Sequence, residues 1–171
     1  MRQRMDKQAL FALLIVLSLN HSACALPNDK NQILNVKAGS ADINQQTHQG
    51  VFLNQVELDQ GTTHIRAASA ITTGNKKNQL VLAVIKGNHE AQAHYWTDTA
   101  PNKPPLHAYA DTINYYPERH VIELIGHARV EQARNSFSAP KITYDTEAQH
   151  IISEAKPEGR TTIIFYPEKL T

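Results

Sequence analysis

The chain is 171 residues long and carries 17 lysines and arginines against 16 aspartates and glutamates. This length allows one ordinary domain, and the near-neutral charge excludes the broad basic surface from which nucleic-acid binding gains most of its affinity. The single cysteine excludes a disulfide framework, so strand pairing and an apolar interior must hold the fold together.

The beginning of the chain has the three parts of a secretory signal. Basic residues at Arg2, Arg4 and Lys7 precede an apolar run over residues 9–19, and small residues flank the predicted cleavage site near Ala25. The apolar run is well short of the roughly 20 residues that a membrane-spanning helix needs. An uncleaved anchor is the alternative.

Removal of residues 1–25 takes three basic residues and one acidic residue, which leaves 14 against 15 in residues 26–171. The removed part includes Cys24, so no thiol would remain for a zinc finger or a cysteine nucleophile. A second alternative retains Cys24 as the lipidated first residue of a bacterial lipoprotein, although His21 stands where such a signal prefers leucine.

Most of the remaining chain alternates between apolar and polar residues, which is the pattern of strands with one buried face. The clearest example runs from Ile122 to Glu131, where every even position is apolar or glycine and three odd positions are charged. No segment of useful length has the helical period. The predicted strand segments, in chain order, are 33–38, 42–44, 52–60, 63–67, 80–85, 89–96, 110–116, 121–132, 137–144, 150–154 and 161–166.

Three of these segments carry further predictions. Residues 80–85 are apolar at both parities, so we predict burial on both faces. The proline-rich stretch 97–106 is predicted to be a long hairpin loop within one domain, because each half of a divided chain would hold only about 70 residues. Residues 161–166 have no strand after them to pair with, so we predict an edge strand.

The second part of the chain repeats a pattern found in the first part. The aligned pairs are 41–44 with 110–114, 52–60 with 124–132, and 65–67 with 137–139. This alignment predicts two repeat halves, about 33–96 and 107–166, within one domain spanning 26–171. It also places Asn54 opposite Gly126, which leaves the turn geometry near Asn54 open.

The residue types of common active sites are present without their spacing. His89 and His94 differ in strand parity, and neither these nor His120 and His127 belong to a cluster with ligand spacing. Serine nucleophile elbows, phosphate loops and dinucleotide-binding glycine patterns are absent from the sequence. We therefore predict no metal, no cofactor and no enzymatic activity.

With no helix to cover the apolar strand faces, the sheet must fold on itself as a sandwich, barrel or jellyroll. One interpretation is that the inward side chains simply fill a core. The other is that two long sheets leave an apolar trough between them that can take acyl chains.

The repeated pattern resembles a known family. Ala110-Asp111 with Ile113-Asn114-Tyr115, then residues 124–132, then Ile142-Thr143-Tyr144-Asp145, resemble the repeat of the OstA-like periplasmic lipopolysaccharide-transport proteins. The resemblance spans roughly Val36 to Ala155. It implies an all-β, open antiparallel β-jellyroll in the periplasm, whose slit-like trough shields the lipid A acyl chains of lipopolysaccharide without any cofactor.

The resemblance also implies partners and binding residues. An LptC-like inner-membrane protein would join the N-terminal edge, an LptD-like outer-membrane translocon the C-terminal edge, and copies would associate end to end. The edge residues would be Ile33, Val36, Ile163 and Phe165. The trough would be lined by Ile43, Phe52, Val56, Leu58, Ile65, Leu82, Val84, Ile113, Tyr115, Ile122, Leu124, Ala128, Val130, Phe137, Ile142 and Tyr144.

Three alternatives remain at this point. The chain could be the anchored inner-membrane relative, which shares the repeats but keeps its N-terminal helix. It could correspond to the N-terminal part of the translocon, which in that protein continues into a large barrel. From another class, it could be a structural or adhesive exported β-protein with a filled core.

Overall fold

The computed structural model describes residues 31–154 and 159–167. The predicted leader and the alternatives for Cys24 lie outside these residues. The described part is built almost entirely from twelve antiparallel strands and one short 3-10 turn at Pro117–Arg119. The all-β prediction is confirmed.

The strands alternate with short polar turns, as the sequence pattern predicts. In chain order they are β1 (Leu34–Lys37), β2 (Ser40–Asn44), β3 (Gln49–Gln60), β4 (Thr63–Gly74), β5 (Leu80–Lys86), β6 (Ala93–Thr97), β7 (Leu106–Ala110), β8 (Thr112–Tyr116), β9 (Val121–Gln132), β10 (Asn135–Asp145), β11 (His150–Ser153) and β12 (Thr162–Ile164).

Four long strands divide the sheet into two layers, because each pairs with different neighbours along its two halves. Layer A contains β2, the first half of β3, the second half of β4, β5, β8, the first half of β9, the second half of β10, and β11. Layer B contains β1, the other halves of the same long strands, β6, β7 and β12. The architecture is an open jellyroll, in which both layers face one interior.

The chain passes between the layers along one side, which we call the seam. Backbone hydrogen bonds tie neighbouring crossings together there: the Asp111 amide donates to the Gly126 carbonyl at 3.0 Å, and the Gly87 amide to the Asp111 carbonyl at 3.0 Å. The hairpin turns lie on the opposite side, which we call the open side. The two layers are therefore joined covalently along the seam, which serves as a hinge between them.

The long strands bend at the seam through matching bulges. Asn54 and Gln55 in β3 have φ values of 66° and 53°, and Gly126 and His127 in β9 have φ values of 81° and 45°. The strand pairing shifts register between Leu53 and Val56, at the first bulge. Both bulges use the left-handed region, which glycine and asparagine tolerate best. The sequence alignment of Asn54 with Gly126 therefore joins residues of equivalent geometry.

The prediction that residues 80–85 are buried on both faces is wrong. Val81 is an extra residue in β5, since Leu80 pairs with Gly74 while Leu82 pairs with Thr73. Leu82 and Val84 consequently lie on the outer face and are only half-buried, whereas the inward residues of this strand include Ala83 and Ile85, both fully buried. An apolar run with a bulge has no parity that the sequence can assign.

The terminal strands leave edges unpaired at both ends of the fold. Within the described residues, β1 and β2 pair only with β3, and β11 and β12 pair only with β10. The prediction of a C-terminal edge strand is confirmed. The predicted bounds were too long, because Ile33 precedes β1 and Phe165 follows β12, and both side chains are exposed.

Candidate functional site

The interior between the layers collects most of the predicted trough residues. Twelve of the sixteen are buried, namely Phe52, Val56, Leu58, Ile65, Ile113, Tyr115, Ile122, Leu124, Ala128, Val130, Ile142 and Tyr144. Phe137 is partly buried and packs against them. Leu82 and Val84 face outward, and Ile43 is 64% exposed. Residues missed by the sequence analysis complete the set, among them Tyr95, Ile85 and Leu80.

The alternation within each strand explains this convergence. Both layers turn one apolar face inward, and the rings of Tyr95 from layer B and Tyr115 from layer A lie 5.8 Å apart. Burial raises the pKa of Tyr144 to about 12 and raises that of Tyr95 further. Among the described residues no Asp, Glu, Lys, Arg or His side chain is buried. The interior is therefore uncharged at any physiological pH.

A few polar groups stand at the rim of layer B. Thr63 and Thr97 are buried, and their hydroxyl groups hydrogen-bond with that of Tyr95. The Thr63 and Thr97 oxygens lie 3.4 Å apart. The Gln60 amide donates to the Gln32 carbonyl at 3.1 Å. The bonds between the hydroxyl groups allow Thr63 and Thr97 to line an apolar space without a large desolvation cost.

Open space between the layers is found near the N-terminal edge. A cavity of about 170 Å³ is lined by residues that include Leu34 of layer B and Ile43, Phe52 and Leu80 of layer A. Behind it lies a void of only about 10 Å³ beside Leu58, Ile65 and Tyr115. Ile43 is thus exposed because it stands at a mouth, whereas the side chains deeper in this part of the interior are buried.

A loop from β6 to β7 covers part of the open side. Within this loop, the Thr99 hydroxyl accepts a hydrogen bond from the Gln132 amide at 2.6 Å, and Pro104 accepts another from the same amide at 3.1 Å. The Gln149 amide, from the turn after β10 in layer A, donates to the Thr99 carbonyl at 3.3 Å. This hydrogen bond joins a turn of layer A to the loop of layer B.

The outer face of layer B carries a stack of rings that the sequence did not reveal. His94 stacks on Tyr109 at 4.3 Å and on Trp96 at 4.7 Å, with Arg66 over Trp96 at 5.1 Å. Burial, together with the nearby charges of His107 and Arg66, lowers the pKa of His94 to about 4. The stack needs cross-strand register between β4, β6 and β7, which depends on loop lengths that no sequence pattern fixed.

In the part of the chain that the structure describes, no group of three or more His, Cys, Asp or Glu side chains is placed to hold a metal ion. In the described ranges, no helix has the length and hydrophobicity needed to span a bilayer.

Comparison with known proteins gives consistent matches. Lipopolysaccharide export system protein LptH of Pseudomonas aeruginosa is 29% identical over 155 residues, which cover 86% of this chain and 86% of that protein. Lipopolysaccharide export system protein LptA of Haemophilus influenzae is 24% identical, over 96% of this chain and 94% of its own length. LptA of Escherichia coli K12 is 23% identical, with coverage of 91% and 82%.

A solved structure and a family model agree with these matches. The crystal structure of LptH, described as the LptA-homologous periplasmic component of the lipopolysaccharide transport device of Pseudomonas aeruginosa, superposes with a TM-score of 0.75. It is 27% identical, and the match covers 82% of this chain and all of that one. Residues 35–150 match the family model, which is more than half of the chain. The chain therefore belongs to the family described as LptA/(LptD N-terminal domain) LPS transport protein.

Proposed function

We propose that this protein carries lipopolysaccharide through the periplasm by sheltering lipid A acyl chains between its two layers. The observation that supports this most directly is the uncharged apolar interior, to which both layers contribute and which opens at a mouth near the N-terminal edge. The relatives are lipopolysaccharide export proteins by name. A protein with this function needs no catalytic group, because it gives the lipid an apolar path and catalyses no reaction.

The energetic role of the interior is to replace water around the acyl chains. Burial of a methylene group contributes roughly 0.8 kcal/mol, so partial shelter of several chains offsets a large cost of crossing the aqueous space. The cavity at the mouth holds about 170 Å³, which is too little for several chains. Loading therefore requires that the layers move apart, with acyl chains taking the place of side-chain contacts.

The same proposal assigns the two free edges to partners. An LptC-like protein would add strands to β1 and β2, and an LptD-like translocon or a second copy would add strands to β11 and β12. Strand addition to an unpaired edge satisfies backbone donors and acceptors on both proteins. It would also extend the apolar interior from one protein to the next.

Photocrosslinking in cells tests the interior directly. A benzophenone amino acid replaces Phe52, which lines the mouth and is 8% exposed, so an aromatic side chain is exchanged for another. We expect a lipopolysaccharide adduct at this position. Its matched control is Leu53, the next residue of β3, which is also apolar but faces outward and is 45% exposed.

The two positions distinguish lipid binding in the interior from nonspecific contact with exposed apolar side chains. Adducts at Phe52 and not at Leu53 would support the proposal. Equal adducts at both positions would mean that lipid contacts any exposed apolar side chain, and an absence of adducts at both in folded protein would leave a filled structural core as the better description.

A further inference from the structure

A second candidate site lies on the outer surface of the seam, in the C-terminal half of the fold. It is a groove of about 680 Å³, and of its lining residues only Ala128 and Ala139 also belong to the buried interior. Gln92, at one wall, is held in place because its amide donates to Asp111 at 3.2 Å and to the His127 carbonyl at 3.1 Å. The groove is lined by Gln92, Ile125, Gly126, His127, Ala128, Arg129, Ser138, Ala139, Pro140, Arg160 and Thr162.

The polar groups of this groove are mainly hydrogen-bond donors. Arg129, Ser138 and Thr162 are lateral neighbours, since Ser138 pairs with Arg129 on one side and with Thr162 on the other. Strands in a sheet are about 4.8 Å apart, so one guanidinium group and two hydroxyl groups lie in a row. Arg160, just before β12, adds a second guanidinium group to the same groove.

The charges in the groove are positioned without being fully neutralised. Arg129 contacts Glu131 at 3.1 Å and lies over the Tyr109 ring at 4.8 Å, which fixes its position. Arg160 forms no ion pair with any residue in the described ranges. No carboxylate lines the groove itself. This is unusual in a chain whose acidic and basic residues nearly balance.

The matching groove at the first bulge serves as an internal comparison. It has about 750 Å³ and also includes Gln92, but its lining combines Arg66 with the carboxylate of Glu90. Arg66 itself is bound to Asp59 at 2.9 Å. Two grooves of similar size and position thus differ in their lining. The groove at the first bulge contains Glu90, whereas the acids near the C-terminal groove, Glu131 and Asp111, contact its lining residues without lining it themselves.

We propose that the C-terminal groove binds a phosphate monoester. Two guanidinium groups with adjacent hydroxyl groups match the several acceptor oxygens of a phosphate better than the two of a carboxylate. The apolar floor of Ile125 and Pro140 can contact the carrier of the phosphate. The inference goes beyond acyl-chain shelter and is independent of it, because the arginine and hydroxyl side chains of the groove do not belong to the buried interior.

A titration followed by nuclear magnetic resonance tests this site. Inorganic phosphate, glucose 1-phosphate and unphosphorylated glucose are added separately to the folded protein, and amide shifts are followed at Gly126, Ser138 and Thr162. We expect both phosphates to shift these amides and glucose to have no effect. Arg160→Gln and Arg129→Gln should each weaken binding about tenfold, the loss expected for one charge-assisted contact.

Arg66→Gln, in the other groove, is the matched control and should leave the affinity unchanged. Tighter binding of glucose 1-phosphate than of inorganic phosphate would assign the site to a phosphorylated saccharide such as a lipopolysaccharide headgroup. Equal affinity would assign it to free phosphate. An absence of saturable shifts, or the same loss in Arg66→Gln as in Arg160→Gln, would overturn the proposal, whatever the crosslinking at Phe52 shows.

Discussion

Tethering the open side should stop lipid loading. The contact to be replaced is that between Gln149 of layer A and Thr99 of layer B. Both residues are changed to cysteine in a chain that starts at residue 26, which contains no other cysteine. The two thiols are then joined by a short linker that reacts with both and can be cleaved by reduction. Because the layers are already continuous along the seam, this tether closes the one side where they can separate.

The structure sets the size of the effect. The natural contact is a single neutral hydrogen bond, worth about 0.5 to 1.5 kcal/mol, so its loss in Gln149→Ala should favour opening by roughly two- to tenfold. A covalent tether removes the opening altogether. We therefore expect lipopolysaccharide loading, measured by native mass spectrometry, to be roughly two- to tenfold faster in Gln149→Ala and abolished in the tethered protein until the linker is reduced.

A second tether controls for the chemistry. His48 and Asn78 contact each other at 3.2 Å, but both lie in turns of layer A, so joining them leaves the layers free to separate. Loading should then proceed as in the untethered protein. If the Thr99 to Gln149 tether loaded lipid at the normal rate, the open side would not be the route, and the hinge role of the seam would be refuted.

Two further predictions concern stability. Gly126→Ala should destabilise the fold by about 2 to 3 kcal/mol, because alanine is disfavoured at a φ of 81° and its Cβ would collide with Asp111. Asn54→Gly, at the equivalent bulge, should change the free energy of unfolding by no more than about 1 kcal/mol. Urea unfolding of both variants measures the difference. Equal losses of stability would contradict the equivalence of the bulges. His94 has a pKa of about 4 in the folded state against an ordinary value of 6.5, so the unfolded chain takes up the proton first and stability falls as the pH drops from about 6.5 towards 4. The fall in unfolding free energy attributable to this residue should be up to about 2 kcal/mol, because solvent screens a half-buried group. It should disappear in His94→Gln and remain in the control His89→Gln, whose side chain is exposed; an identical pH dependence in both variants would contradict the assignment.

The sequence predicted the inward faces of the long strands well, for a physical reason. Residues with strand parity share a face, and Leu124 and Ala128 are both buried on either side of the bulge, where Gly126 and His127 of β9 stand opposite the single residue Pro140 of β10. The extra Val81 in β5 changes the parity instead, and both faces there are apolar. Alternation therefore failed where a one-residue bulge coincided with a hydrophobic outer face.

The alternation of residues along a strand could not predict features that depend on contacts between distant strands. Periodicity predicts which way a side chain points but not which strand lies beside it. The stack around His94 and the C-terminal groove at Arg160 both depend on the register of neighbouring strands. The hydrogen bond from Gln149 to Thr99 also requires the path of a long loop. These contacts arise from tertiary structure, where loop length and bulges decide the pairing.

If the proposed function is right, the filled core and the lipid-carrying trough are two states of the same interior. In the closed state, the interior has a cavity of about 170 Å³ at its mouth and a void of only about 10 Å³ beside Leu58 and Tyr115. Most of its apolar side chains are therefore kept away from water when no lipid is present. Acyl chains present the same kind of surface, so exchanging side-chain contacts for lipid contacts has a small net cost in free energy. The covalent seam keeps the layers together, while the open side is held by non-covalent contacts such as the hydrogen bond from Gln149 to Thr99. An interior with this arrangement can accept and release lipid without a source of energy of its own.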